Sequence, residues 1–82
     1  MHVLPPQPDL SRLADAFKAA RAESGMTFDE LAAASGLARQ TLLNLSAGRY
    51  HGEVQTWAIL ARTWGMSLDD LIAPIWDEPE AQ

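Results

Sequence analysis

The chain contains no cysteine, which excludes a disulfide framework and any thiolate metal site. It has no long apolar run, so no membrane span is expected. It is poor in cations: six Lys and Arg stand against eleven Asp and Glu, for a net charge of −5. That balance is unusual for a nucleic-acid binder, whose phosphate contacts normally leave a basic footprint. The first residues, MHVLPPQPDL, lack a basic segment and an apolar core. They are not expected to be a signal peptide, and an intracellular, cytoplasmic protein is the default.

Enzyme chemistry also lacks its parts. There is no phosphate-cradling glycine loop and no H-E-x-x-H pattern. His2 and His51 are isolated, and the acid pairs Asp69-Asp70 and Asp77-Glu78 have no histidine beside them. No catalytic residue, metal site or cofactor is expected.

What is present is apolar and periodic. Hydrophobic residues make up 48% of 82 residues, enough for one compact domain. A chain this short buries only about 60% of its unfolded surface, so stability should be modest unless it dimerises. Residues 1–8 hold Pro5, Pro6 and Pro8 and read as an extended arm without Lys or Arg. Helix one is expected from Asp9 or Leu10 to Ser24, with Leu10, Leu13, Phe17 and Ala20 on one face and Gly25 at its end. Thr27 and Glu30 have capping-box spacing and open a helix over 28–35. Gly36 marks a turn, Leu37 plugs it, and a third helix over 38–47 turns Leu42 and Leu45 inward before Gly48. A fourth helix over 54–64 buries Trp57, Leu60, Ala61 and Trp64. Ser67 caps a short fifth helix, with Leu68, Leu71 and Ile72 inward, which Pro74 should stop. This reading makes 9–73 the domain and 74–82 a C-terminal segment with an acidic tail.

Two short helices around a tight turn, with small Ala32 where they would meet, have the shape of a helix-turn-helix. Here the pattern T-x-x-E-L-A-x-x-x-G-L-x-R-Q-T-L-x-N-L-x-x-G-R resembles the Cro/lambda-repressor, or XRE, type. The resemblance extends over roughly residues 10–72. It implies an all-α, five-helix, lambda-repressor-like fold that binds double-stranded operator DNA, with helix three in the major groove.

Carried over residue by residue, it assigns base contacts to Ala38, Arg39, Gln40, Thr41, Leu43 and Asn44. Their chemistry suits base readout. Arg39 can pair with guanine O6 and N7, and Gln40 with adenine N6 and N7. Asn44 can reach another adenine or a phosphate, and Ala38, Thr41 and Leu43 can meet a thymine methyl. Phosphate contacts are expected from Thr27 and Phe28 at the start of helix two, and from Arg49, Tyr50 and His51 after helix three. Phe28 stands where the family often has Gln. Leu43 stands on a face that is usually polar, so a protein contact is the alternative for it. The family's partner for Arg21 is absent: Ser46 and Ala47 occupy the matching positions, leaving Arg21 to pair with Glu30 or to lie exposed.

Charge is uneven along the chain. Residues 38–62 hold Arg39, Arg49 and Arg62 against Glu53, while 63–82 hold five acids and no cation. The one cationic stretch contains helix three. Ile75-Trp76 lies beyond the last family element and either folds back or meets a partner; Ile72, Ile75 and Trp76 are the candidate homodimer surface. The function implied is a transcriptional regulator, a repressor of phage, mobile-element or antitoxin type, acting on bacterial DNA. The alternative is a protein-interaction module on the same fold, which the acidic charge, Phe28, Leu43 and the Ile-Trp pair would suit.

Overall fold

The computed structural model describes residues 7–76. Expectations about the arm at residues 1–6 and the tail at 77–82 lie outside it. Among the described residues the fold is all-helical, with five α-helices: α1 Leu13–Ser24, α2 Phe28–Ser35, α3 Arg39–Ala47, α4 Val54–Trp64 and α5 Leu68–Ile72. Among the described residues no helix is long and apolar enough to cross a membrane.

The lead into α1 is tighter than expected. Leu10–Arg12 form a 3-10 turn. Its cap is Asp9, whose carboxylate accepts from the Ser11 amide at 3.1 Å and the Ser11 hydroxyl at 2.6 Å. The hydroxyl bond is the main cause of an Asp9 pKa below the usual carboxylate range. The turn leaves Leu10 exposed rather than inward. The α-helix proper ends at Gly25, which takes the left-handed conformation.

Local chemistry then sets each helix end. Thr27 Oγ1 accepts from the Glu30 amide at 3.0 Å, and Glu30 Oε1 accepts from the Thr27 amide at 2.9 Å. This reciprocal capping box starts α2. Gly36 ends α2, and Gly48 ends α3. Ser67 caps α5 by accepting from the Asp70 amide at 3.0 Å.

Phe17 is the hub of the core. Its ring stacks on Phe28 at 6.2 Å and meets Trp57 and Trp64 edge-on at 6.5 and 5.7 Å. Leu31, Leu42, Leu45, Leu60 and Leu71 surround it, all fully buried. Each such side chain contributes about 1.5–3 kcal/mol relative to exposure. Leu42 and Leu45 seat α3 on α1 and α2, which leaves the opposite face of α3 outward.

Two expectations are corrected here. Pro74 ends α5 but not the turning of the chain, because Ala73–Trp76 continue as a 3-10 turn. That turn drives Ile75 into the core at 5% exposure, where its carbonyl accepts from the Asp9 amide at 2.8 Å. Arg12 Nη1 donates to the neighbouring Pro74 carbonyl at 3.2 Å. The folded unit therefore runs through Trp76 rather than stopping at residue 73. Ile75 belongs to this chain's own core and is not free to serve as a dimer-surface residue; Ile72 is half-buried and Trp76 exposed.

Candidate nucleic-acid interface

The helix-turn-helix is α2, the turn at Gly36–Ala38, and α3. Leu37 packs against the core within this turn, and Ala32 packs there on α2. A Ser35 hydroxyl accepts from the Leu37 amide at 3.1 Å and tightens the connection.

The first turn of α3 projects outward. Ala38, Arg39 and Gln40 are exposed; Thr41, Leu43 and Asn44 are half-buried. Ala38 is the N-cap and offers no side-chain acceptor to the helix. The first-turn amides of α3 therefore have no side-chain cap, and a hydrogen-bond acceptor can meet them. Arg39 Nε donates to Asp29 Oδ1 at 2.8 Å, joining α3 to α2. Gln40 Nε2 donates to Asn44 Oδ1 at 3.1 Å, one helical turn away. Gln40 and Asn44 thus form one polar column along α3, while Leu43 lies one turn beyond Arg39 in the column beside it.

The phosphate candidates divide into two groups. At α2, the Thr27 amide already donates to Glu30, so an anion there would compete with a carboxylate. The Phe28 ring is turned inward onto Phe17. Only the backbone of Phe28 remains for a phosphate, and the expectation that residues 27 and 28 offer free groups is corrected to that extent. Arg21 takes neither of its expected states. Its Nη1 donates to the Met26 carbonyl at 2.9 Å and its guanidinium lies 4.3 Å from the centroid of the Phe28 ring.

After α3, Arg49, Tyr50 and His51 are all exposed. The Arg49 amide donates to the Asn44 carbonyl at 3.0 Å, which fixes where the chain leaves the helix. Trp57 Nε1 donates to the His51 carbonyl at 2.6 Å and anchors the loop from below. This loop and the first turn of α3 are therefore held to the same core.

A second surface adjoins this loop, with His51, Gly52 and Glu53 along one side of it. An apolar groove is lined by Leu10, Leu13, Val54, Trp57, Ile72 and Ile75. Val54 is 75% exposed, and Trp76, next to Ile75 in sequence, is 45% exposed. Sequence periodicity does not find this groove, because Leu10 and Val54 read as a core residue and a helix-start residue.

No protein-family model matches the chain. No curated protein matches it either. Among solved structures, the crystal structure of the clp gene regulator ClgR from C. glutamicum is similar, with a TM-score of 0.67 and 26% identity. The match covers 89% of this chain and 99% of that one. The chain thus shares its helical fold with a gene regulator over most of its length.

Proposed function

We propose that this protein is a sequence-specific DNA-binding transcriptional regulator of the Cro/lambda-repressor type, acting as a repressor. It sets α3 in the major groove of an operator. The observation that carries the reading is the outward first turn of α3, where Arg39 and Gln40 stand side by side without a side-chain cap beneath them. Arg39 reads guanine and Gln40 reads adenine, while Asn44, one turn beyond Gln40, reaches a further base or a phosphate. Ala38, Thr41 and Leu43 supply apolar contact to thymine methyls. Arg49, Tyr50 and His51, with the backbone at Phe28, meet the phosphates on either side. Similarity to a gene regulator supports the reading.

The active form is a homodimer. A chain with six Lys and Arg has few phosphate contacts as a monomer, and pairing doubles them. The supporting surface is the apolar groove, with Ile72 in its wall; exposed Trp76 follows the groove residue Ile75 in sequence. A two-fold axis sets the same patch of both copies face to face, so an apolar groove on one meets its own counterpart. Such a protein works in the bacterial cytoplasm, on the nucleoid, as a phage, mobile-element or antitoxin-type regulator.

Selection from random DNA followed by gel shifts tests the reading. The wild-type chain should enrich one site. Arg39→Ala and Gln40→Ala should each cost about 1–3 kcal/mol on that site and relax one base position. Arg49→Ala should weaken all sequences alike and lower the salt slope by about 1. A chain that enriches no site at low salt is instead a protein-interaction module, the reading favoured by its −5 charge.

A further inference from the structure

We propose that Asp29 is a specificity-determining residue that positions Arg39 for guanine. This rests on the DNA-binding reading above. Asp29 lies on α2 and Arg39 on α3, and their ion pair spans the helix-turn-helix at 2.8 Å. Both side chains are largely exposed, at 82% and 56%. An exposed pair of this kind adds little to stability because water and salt screen it. Its effect is on geometry.

Arginine has five N–H donors in a rigid planar fork. Asp29 engages Nε, so the two terminal Nη groups take no part in that bond. Guanine O6 and N7 require two donors in a fixed relation. A guanidinium already held at one edge loses less rotamer freedom on forming that pair. Lysine at position 39 could not do this, because its ammonium has no second edge. The carboxylate has a further consequence. Beside DNA it is tolerated only while Arg39 neutralises it, so loss of Arg39 exposes an anion to phosphate. Asp29 therefore penalises any complex in which Arg39 is drawn away from its place.

The test compares wild type, Asp29→Ala, Asp29→Asn, Arg39→Ala and the Asp29→Ala/Arg39→Ala double variant. Each is titrated on the selected site, on that site with the guanine pair replaced, and on unrelated DNA. Asp29→Ala should lower the preference for guanine at the Arg39 position roughly threefold to tenfold. Affinity for unrelated DNA should hold or rise, since a negative charge is removed. Asp29→Asn keeps an acceptor oxygen and should retain part of the preference. In the double variant, removing Asp29 should recover affinity lost by Arg39→Ala without restoring the guanine preference. Thermal melts of Asp29→Ala should match wild type. If Arg39→Ala abolishes the preference but Asp29→Ala leaves it intact, the DNA reading stands and the positioning role is overturned. If Asp29→Ala changes binding by the same factor on all three DNAs, Asp29 acts only as a repelling charge and the proposal is equally overturned. A wild-type chain that selects no site removes both the reading and the proposal.

Discussion

Trp57 donates its indole N–H to the carbonyl of His51 at 2.6 Å, and Gly52 lies between the two bonded groups along the chain. Gly52 has φ of +81°, and a Cβ there would stand 2.7 Å from Trp57 Nε1 and 3.0 Å from Leu45 Cδ2. Both neighbours are buried and cannot yield as a free side-chain end would. The loop that carries Arg49, Tyr50 and His51 is therefore shaped by a close approach that only glycine permits.

Gly52→Ala should destabilise the protein by about 1–3 kcal/mol, from backbone strain and overpacking together. Chemical denaturation measures the loss. DNA affinity should fall further than stability accounts for, because the displaced loop carries the proposed phosphate contacts. A Gly52→Ala protein with wild-type midpoint and affinity would mean that the loop adjusts freely.

Helix ends are legible in the sequence because their chemistry is local. Thr27 with Glu30, Ser67 at its cap, and glycines at positions 25, 36, 48 and 65 announce themselves within three or four residues. The stripe of Leu42 and Leu45 likewise places the outward face of α3 without tertiary knowledge. Ile75 is not legible, because a proline precedes it and its burial depends on the Asp9 amide far away in sequence. The Asp29–Arg39 pair escapes for a similar reason: two exposed polar residues ten apart give no periodic signal. Charge matching seeks an acid for Arg21, but the partners of Arg21 are a carbonyl and an aromatic face, which such matching does not search.

Arg21 links the end of α1 to the start of α2. Its Nη1 bond to Met26 and its place over Phe28 hold the ring that stacks on Phe17. Its Nε is buried without a hydrogen-bond partner among the described residues, which offsets part of that gain. Arg21→Ala should therefore cost on the order of 1–2 kcal/mol, from the lost cation–π contact and charge-assisted bond less the relieved orphan. Arg21→Lys should recover only part of this, since one ammonium cannot both stack flat and reach the carbonyl as the planar fork does. Thermal melts of the two variants decide the matter; equal stability of Arg21→Lys and wild type would reduce the role to charge alone.

Ile75 and Trp76 are adjacent in sequence and opposite in consequence. Ile75 is core, so Ile75→Ala should cost about 2–5 kcal/mol, as for other buried aliphatic truncations. Trp76 is 45% exposed, and Trp76→Ala should leave the denaturation midpoint of the monomer nearly unchanged. If the groove face pairs two copies, each exposed apolar residue on it counts twice under a two-fold axis. Trp76→Ala and Val54→Asp should then each shift sedimentation towards the monomer while circular dichroism stays helical. DNA affinity should fall with them, because helix-turn-helix dimers meet half-sites about 34–36 Å apart only when the pairing contact holds that spacing. Val54→Asp is the cleaner variant, since a side chain 75% exposed contributes little to the fold. Should both variants sediment as the wild-type dimer does, the pairing face lies elsewhere on the molecule. A wild type that stays monomeric at every concentration yet binds its site tightly would show that the cations of one copy suffice.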